Sequence, residues 1–247
     1  MAWNKRFESA FWLLPSQVGP VREFVRDAIE PSERTRRDIC SLHLDSPKFT
    51  LYNQEYMGQK NRFHLRVRFH EEWNQDVVRL ELKRWESEVV AVKQTSVTRE
   101  GGQRLIDGAY PESSMLFRRK GNLDLIDGFA RLRRTINATA VVYCGFQREI
   151  CCETAQQKIP GTSLSFDRNI YCAHYEKDKG IRVPNNRFAL STKGEMLTVK
   201  FEKTIPDWIN RLVAEFGLQR VRSKYALCVE TLFPPDGGLG LAHGNTA

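Results

Sequence analysis

The sequence lacks the features that mark exported and membrane-spanning chains. No apolar run approaches the roughly 20 residues that are needed to cross a bilayer. The N-terminal residues Met-Ala-Trp-Asn-Lys-Arg contain no apolar stretch typical of a signal peptide, and no internal repeat or low-complexity tract is visible. These absences predict a soluble cytoplasmic protein.

The cysteines and histidines show none of the spacings that build metal or catalytic centres. Zinc sites need paired ligands a few residues apart, and disulfide frameworks are typical of exported chains. The sequence has no Cys-x-x-Cys pair, no paired histidines, no glycine-rich phosphate loop and no Gly-x-Ser-x-Gly segment. We therefore expect buried, reduced thiols, and the adjacent Cys151 and Cys152 receive no function. The cysteines lie at positions 40, 144, 151, 152, 172 and 228.

The chain does contain a sizeable apolar fraction and an excess of positive charge. Its 247 residues are 41% hydrophobic, which is enough for one large or two small domains with a proper core. The formal net charge is +8 and the pI is about 9.3. This excess favours polyanionic partners, namely phosphates, nucleic acid or an anionic membrane surface.

The most informative segment is residues 62–70, in which basic and apolar residues alternate without a break. Successive side chains of a strand point to opposite faces. One face would carry Arg62, His64, Arg66, Arg68 and His70, and the other Phe63, Leu65, Val67 and Phe69. Like charges side by side repel, so a row of one sign indicates an anion opposite it. A solvated basic strand is the alternative interpretation.

Further strands and helices are predicted along the chain. Strands are predicted at residues 6–13, 38–44, 77–84, 139–150, 162–172 and 197–202. Two of them again carry polar residues on one face, namely Arg79, Glu81 and Lys83 in one and Thr198, Lys200 and Glu202 in the other. Helices are predicted at residues 18–29, 49–57, 123–136 and 205–216. Residues 99–121 are predicted to be a long connection.

Strands with one apolar and one charged face limit the directions in which the charged side chains can point. If helices cover the apolar faces, the charged faces point to solvent or, when an antiparallel sheet closes, into a shared cavity. Burying several cations in one cavity is costly unless an anion or carboxylates neutralise them. We therefore predict an α+β protein, an antiparallel β-barrel with helices packed outside, whose lumen binds a linear polyanion.

The order of several short motifs resembles a known family, the VTC domain. This domain is the polyphosphate polymerase module of vacuolar transporter chaperones and their bacterial relatives. The similarity spans residues 6–226. The residues that carry it are Arg6-Phe7-Glu8, Phe11-Trp12, Ser41-Leu42-His43-Leu44-Asp45-Ser46, Leu51-Tyr52, Leu65-Arg66-Val67-Arg68-Phe69, Leu80-Glu81-Leu82-Lys83-Arg84, Arg148-Glu149, Ser165-Phe166-Asp167, Leu197-Thr198-Val199-Lys200-Phe201, Pro206-Asp207-Trp208 and Ser223-Lys224-Tyr225.

The resemblance implies a triphosphate tunnel metalloenzyme fold of the CYTH-like superfamily. In that family, lumen cations grip the phosphates, a carboxylate holds Mn²⁺ or Mg²⁺, and the terminal phosphate of ATP passes to a growing polyphosphate chain. Phosphoryl transfer asks a protein mainly for positioning and charge neutralisation, so a cationic lining with a metal suffices. The implied ligands are ATP and inorganic polyphosphate or triphosphate.

Residue by residue, the resemblance assigns six cations to the phosphates. Arg66 and Arg68 match the family's paired arginines, and the alternation of residues 62–70 independently places them on one face. The full phosphate-binding set is Arg66, Arg68, Lys83, Arg148, Lys200 and Lys224, of which the first four are the predicted catalytic residues.

The sequence departs from the family pattern at several lumen positions. Thr198 stands where the family has the glutamate that holds the metal, and a neutral hydroxyl is a weak ligand for a hard divalent cation. Glu8 and Glu81 are the predicted replacement ligands, with Glu202 as an alternative. The other departures are Ala10 in place of a lysine, Gly145 and Ser163 in place of arginines, and Val221 in place of a lysine that some members carry.

Two functions of different classes follow. The first is an active polymerase that makes polyphosphate from ATP. The second is a catalytically impaired tunnel domain that binds polyphosphate or triphosphate as a regulatory or scaffold module. A nucleic-acid binder is a weaker third reading, because no recognisable motif accompanies the charge.

The predicted organisation is one tunnel domain at residues 1–233 and a disordered tail at residues 234–247. Relatives in the family often act with a membrane-bound partner that accepts the polymer. We therefore expect a cytoplasmic chain, peripheral at the inner membrane through such a partner if at all. The sequence predicts no oligomeric state.

Overall fold

The computed structural model describes most of the chain in seven stretches. These are residues 4–28, 35–70, 76–119, 121–151, 162–190, 193–202 and 204–234. Cys152 and nearly all of the predicted tail lie outside the described residues. None of the helices in these stretches has the length and apolarity that crossing a membrane requires.

Nine strands are present in the described stretches, and eight of them close into an antiparallel barrel. They are β1 (Asn4–Leu13), β2 (Thr35–Asp45), β3 (Asn61–His70), β4 (Val77–Glu86), β5 (Val89–Thr98), β6 (Thr139–Cys151), β7 (Ser163–His174), β8 (Phe188–Ala189) and β9 (Glu195–Phe201). The order around the barrel is β6-β2-β3-β4-β5-β1-β9-β7, and pairing of β6 with β7 closes it. The short β8 pairs with β7 outside this circle. The predicted closed antiparallel barrel is thereby confirmed.

Helices cover the barrel on its outer side and at one end. They are α1 (Pro15–Ala28), α2 (Thr50–Tyr56), α3 (Arg99–Asp107), α4 (Leu123–Thr135), α5 (Asp207–Phe216) and α6 (Lys224–Leu232). The outward residues of β2, β3 and β4 form one apolar core with α3 and α4. Those of β1, β7 and β9 form a second core with α1 and α5. Burial of these apolar faces leaves the alternate, polar faces of the same strands turned inward.

Residues 62–70 illustrate how the sequence builds the wall. Leu65 and Val67 are fully buried in the outer core, whereas Arg66 and Arg68 line the barrel interior. The cross-strand register pairs Arg66 with Glu81 of β4 and with His43 of β2. The predicted division of this segment into an apolar and a basic face is therefore correct for these residues.

The prediction of an unbroken connection over residues 99–121 is wrong, because its first part is helix α3. Thr98 caps the helix, with its side chain accepting a hydrogen bond from the Gly101 backbone nitrogen. Gly101 and Gly102, which suggest a loop, instead allow close packing. A Cβ added to either would lie 2.8 Å from a side-chain atom, Met115 Cβ for the first and Val78 Cγ2 for the second.

Strand β5 and helix α6 were not predicted, and both have apolar residues on more than one face. Val90 and Val92 of β5 line the interior while Ala91, between them, is buried on the outer side, so the segment does not alternate. Helix α6 packs against α2 and against strands β6 and β7. A helix enclosed on several sides has no clear amphipathic period.

Candidate phosphate-binding lumen

The barrel encloses a cavity of about 450 Å³, which we call the lumen. Its wall consists of inward-facing residues at every second position of the strands. Strand β1 contributes Arg6, Glu8 and Ala10, and β9 contributes Met196, Thr198 and Lys200. The sequence pattern predicts this arrangement because each strand buries its alternate, apolar residues under the outer helices.

The structure brings all six predicted phosphate-binding cations into the lumen. They are Arg66, Arg68, Lys83, Arg148, Lys200 and Lys224. Their side chains are partly or fully buried, so they are not a solvated surface row. The basic faces of these strands therefore point into the lumen and not to bulk solvent. Their role in binding phosphate stays a prediction.

Two carboxylates of the lumen wall are held by cations. Glu81 contacts Arg66 through a short hydrogen bond, and its other oxygen lies 3.5 Å from Arg68 Nη1. Burial by itself would raise the pKa of Glu81, but Arg66 and Arg68 outweigh that effect and lower the pKa to about 2. Lys83 Nζ donates to Glu8 Oε1 at 2.7 Å, and despite burial Lys83 and Lys200 hold the pKa of Glu8 below its ordinary value.

A third carboxylate, Asp167 of β7, lies outside the lumen lining and holds two further lumen cations, Arg148 and Lys224. Arg148 donates from Nε and Nη2 to its two oxygens at 2.7 and 2.8 Å, and Lys224 Nζ lies 2.6 Å from Oδ2. Asp167 is fully buried, yet Arg148 and Lys224 outweigh desolvation and lower its pKa. This role of Asp167 could not be assigned from the sequence alone, because β6 and β7 must be in register before Asp167 and Arg148 become neighbours.

Lys200 differs from the other lumen cations in its lack of a partner. Within the described stretches, no hydrogen bond or ion pair engages its Nζ. Burial, together with Arg148, Lys83 and Arg68, lowers the pKa of Lys200 to about 8, although Glu8 opposes the shift. Arg66 likewise has a buried Nε without a hydrogen-bond partner. Both groups can donate to a bound anion.

The lumen carries far more positive than negative charge. Four basic residues that were not assigned to the site also line it, namely Arg6, Arg37, Arg79 and Lys93. Among the described residues, ten basic side chains therefore line the cavity together with the carboxylates Glu8 and Glu81, and Asp167 lies directly behind Arg148 and Lys224. Arg6 and Arg79 could have been found from the sequence, because each lies two residues before one of these glutamates on the same strand face.

Aromatic rings occupy one end of the lumen. The His43 ring stacks on Tyr225 of α6 with centroids 4.8 Å apart, and the His64 ring meets Tyr225 edge-on at 5.4 Å. Burial, followed by the charges of Arg66 and His64, lowers the pKa of His43 well below its ordinary value, which keeps the ring neutral. His64 Nε2 lies 3.2 Å from Glu55 of α2.

The donor set does not fit a preformed site for Mn²⁺ or Mg²⁺. Glu8 and Glu81 are both engaged by cations, and Thr198, buried in the wall, offers only a neutral hydroxyl. In the part of the chain that the structure describes, no three His, Cys, Asp or Glu residues are grouped closely enough to hold a metal ion. A hard cation bound here would have to displace Lys83 or the arginines from their carboxylates. Glu202, the alternative ligand, is exposed just beyond the end of β9.

Two of the departures from the family pattern, Ala10 and Thr198, belong to a row of uncharged residues that crosses β1, β9 and β7. Ala10 pairs with Thr198, which in turn pairs with Ser165. Ser163 pairs with Lys200, so a small hydroxyl stands beside the unpartnered amine. A side chain at position 145 has no room, because a Cβ on Gly145 would lie 1.9 Å from the Tyr171 ring. Val221 donates its backbone nitrogen to the Ala10 carbonyl at 3.0 Å.

The family model of the VTC domain matches residues 5–233 of this chain, which is most of its length. The chain belongs to the VTC domain family. This match and the closed barrel agree with the resemblance found in the motifs. None of the curated proteins matches this VTC domain significantly.

Several solved structures are similar to this VTC domain at low sequence identity. An adenylate cyclase candidate from Bacillus halodurans is 12% identical, with 90% of this chain and 95% of that chain covered and a TM-score of 0.48. A Hippeastrum protein with a dominant triphosphatase activity is 16% identical, with 88% and 90% covered and a TM-score of 0.41. The Mimivirus capping enzyme triphosphatase is 11% identical, with 86% of each chain covered and a TM-score of 0.34.

Proposed function

We propose that this VTC domain binds linear triphosphate or polyphosphate in its lumen. The observation that carries the proposal is the convergence of six cations, Arg66, Arg68, Lys83, Arg148, Lys200 and Lys224, on one lumen in which three carboxylates, Glu8, Glu81 and Asp167, hold all of them except Lys200. Six cations against three carboxylates leave an excess of positive charge, and a bound polyanion would offset the cost of burying it. A chain of phosphates supplies closely spaced negative charges and acceptor oxygens that match this lining.

The arginines and lysines of the lumen would make different kinds of contact with the phosphates. The planar guanidinium groups of Arg66, Arg68 and Arg148 suit bidentate contacts with phosphate oxygens. Lys83, Lys200 and Lys224 supply compact charges between them. Lys200 has no partner among the described residues, so it can bind phosphate without first breaking an ion pair. Binding would also raise its lowered pKa and draw a proton into the site.

Family membership favours a chemical step, the transfer of the terminal phosphate of ATP to the end of a polyphosphate chain. In that reaction Arg66, Arg68, Lys83 and Arg148 would align the reacting phosphates and neutralise charge that develops on their oxygens. A membrane-bound partner that accepts the product stays a prediction.

A second candidate is binding without transfer, as a regulatory or scaffold module. The ion pairs of Glu8 and Glu81 and the neutral Thr198 favour it, because they leave no free carboxylate for a metal among the described lumen residues. The two candidates share the same ligand. They differ only in whether ATP is turned over.

Two measurements on the purified protein separate these functions. Calorimetric titration with tripolyphosphate in EDTA tests binding, and incubation with ATP and Mn²⁺ followed by analysis for acid-labile polyphosphate tests transfer. Binding with product supports the polymerase, and binding without product supports the module. If tripolyphosphate binds no better than a single-stranded oligonucleotide of equal charge, the proposed lumen function is wrong.

A further inference from the structure

Two of the lumen cations, Arg148 and Lys224, lie over the same aromatic ring. Arg148 belongs to β6, and Lys224 is the first residue of α6. The ring is that of Phe146, whose centroid is 5.1 Å from the guanidinium carbon of Arg148 and 4.7 Å from Lys224 Nζ. A cation over an aromatic face is attracted by the electrons of the ring. The ring therefore supports two like charges that would otherwise repel each other.

Asp167 holds the same two cations through its carboxylate. In the sheet, Asp167 lies between Arg148 of β6 and Met196 of β9. Arg148 donates to both of its oxygens, and Lys224 Nζ lies 2.6 Å from Oδ2. Lys224 Nζ also donates to Met196 Sδ at 3.2 Å. Each of the two cations is thus fixed both by Asp167 and by the Phe146 ring.

These contacts leave hydrogen-bond donors for a ligand. Arg148 uses Nε and Nη2 for Asp167, and no hydrogen bond within the described stretches engages its Nη1. Lys224 keeps one of its three N–H groups. Both side chains line the lumen and remain 13% exposed, whereas Asp167 is fully buried and is not part of the lining. Asp167 can therefore act on a ligand only through the two cations.

We infer that Asp167 is a positioning residue, which directs the free donors of Arg148 and Lys224 toward a single phosphate group. The inference rests on the proposed function and adds a residue that does not touch the ligand. Arg148 Nη2 and Lys224 Nζ share the oxygen Oδ2, so they are close enough to contact one phosphate. Long basic side chains lose rotamer freedom when they bind. Asp167 imposes that loss in the folded protein, before the ligand enters.

Charge and position predict opposite effects when Asp167 is replaced by asparagine. Despite burial, Arg148 and Lys224 hold the pKa of Asp167 below its ordinary value, so the side chain is ionised and repels phosphate. If only charge mattered, removing this negative charge would strengthen binding. If position matters, binding weakens, because asparagine offers one acceptor oxygen and turns an N–H group toward a cation. The expected loss is about tenfold, which corresponds to one misaligned charged hydrogen bond.

The test is a calorimetric titration of the full-length protein with tripolyphosphate in EDTA, at low and at high salt. The Asp167→Asn protein should bind about tenfold more weakly, and the deficit should persist at high salt, where long-range attraction is screened. Asp127→Asn is the matched control, because it adds the same charge at an exposed position of α4 and should leave the affinity unchanged.

Nuclear magnetic resonance of the ligand-free protein adds a readout of position. The Arg148 Nε–H group, which donates to Asp167 at 2.7 Å, should give a resonance that is protected from exchange with water. In the Asp167→Asn protein this protection should be lost without ligand and should return when tripolyphosphate is bound. Protection that is equal in the two free proteins would show that Asp167 does not fix Arg148.

The possible results separate this inference from the proposed function. If the Asp167→Asn protein binds tripolyphosphate as tightly as the unmodified protein or more tightly, Asp167 only neutralises charge and the inference is wrong, while the lumen still binds phosphate. If the Asn protein does not fold, Asp167→Glu decides instead. It keeps the charge and displaces the carboxylate, so weaker binding supports positioning and unchanged affinity overturns it. If the unmodified protein does not bind tripolyphosphate, the proposed function itself fails.

Discussion

Lys200 shows how one residue gains its properties from the shape of the barrel. It is an ordinary lysine in the sequence, but the closed wall places it among Arg148, Lys83 and Arg68. Burial is the largest reason for its lowered pKa, and the like charges add to it. Its function should therefore depend on pH over a range in which most lysines stay protonated.

We expect tripolyphosphate to bind more weakly as the pH rises through about 8. Above that pH the free protein loses the Lys200 proton, and a neutral amine no longer attracts the anion. Calorimetry between pH 7 and pH 9, in buffers of different ionisation enthalpy, should show proton uptake on binding near pH 8. The Lys200→Gln protein serves as the reference, because the ligand's own titration is the same for both. Identical pH profiles for the two proteins would contradict the role of Lys200.

Removing Arg66 and Arg68 should cause the largest loss of tripolyphosphate affinity among the changes considered at this scale. The Arg66→Ala, Arg68→Ala protein should bind tripolyphosphate at least about a hundredfold more weakly, because each charged hydrogen-bond donor contributes about 1.5 to 3 kcal/mol. The Arg131→Ala protein should bind like the unmodified one, since Arg131 is exposed and pairs only with Asp127. Unchanged affinity in the double variant would remove the arginines from the binding site.

Thr198 separates binding from metal dependence. Tripolyphosphate binding to the unmodified protein should be insensitive to EDTA, because both carboxylates of the described lumen lining are engaged by cations and leave none for a metal. In the Thr198→Glu protein, a new carboxylate should make Mn²⁺ increase tripolyphosphate affinity and allow turnover of ATP. Thr198→Gln is the matched control of similar size without charge. An Mn²⁺ effect of equal size in the Glu and Gln proteins would mean that position 198 does not control metal binding.

At the scale of elements, Asp45 joins three parts of the fold. It lies at the end of β2 and accepts hydrogen bonds from the Leu51 and Tyr52 backbone nitrogens of α2, and from the Tyr225 hydroxyl of α6. Both α2 and α6 therefore depend on one buried carboxyl group. The sequence motif that contains Asp45 resembles the family, but only the fold reveals which donors it collects.

The Asp45→Ala protein should lose about 3 kcal/mol of its free energy of unfolding in urea. The substitution leaves three backbone N–H groups, those of Ser46, Leu51 and Tyr52, and one hydroxyl without their acceptor. Asp127→Ala, which removes an exposed ion pair on α4, should cost less than about 0.5 kcal/mol. A loss as small as that of the control would show that Asp45 does not anchor α2 and α6.

Elements with one apolar face were predictable, and elements surrounded on several sides were not. β3 and β4 alternate because one face packs outward and the other lines the lumen. β5 has valines on the lumen side as well, and α6 is buried within the end of the barrel, so neither shows its period. The glycines of α3 suggest a loop until the close approach of Met115 is known.

At the scale of the whole molecule, the barrel combines a net positive lumen with carboxylates that are held ionised. Arg66, Arg68, Lys83 and Lys200 were predictable from alternation, whereas Arg148 and Lys224 were assigned by the family resemblance. The closing of β6 on β7, which brings Arg148 to Asp167, depends on the complete circle of strands. Family membership and the barrel architecture could thus be predicted. The ion pairs that engage the metal-ligand candidates Glu8 and Glu81 required the three-dimensional structure.

The stability of the molecule should fall steeply in acid. The pKa values of Glu55 and Glu81 are lowered from 4.5 to about 2 in the folded protein, against the effect of burial, by His64 and Ser223 for Glu55 and by Arg66 and Arg68 for Glu81. Their stabilisation is present above the unfolded pKa of 4.5 and is lost as the pH falls toward 2. Thermal unfolding between pH 6 and pH 2.5 should show this loss, and the Glu55→Gln protein should show a shallower decline. A flat profile would contradict the ionised pairs.

The most direct test of a phosphate-binding lumen is a crystal structure of the protein with tripolyphosphate. We predict phosphate density inside the barrel, with oxygens within hydrogen-bond distance of Arg66, Lys83 and Lys200 and with α6 still in place. Density confined to the outer surface, with only water in the lumen at saturating ligand, would contradict the account.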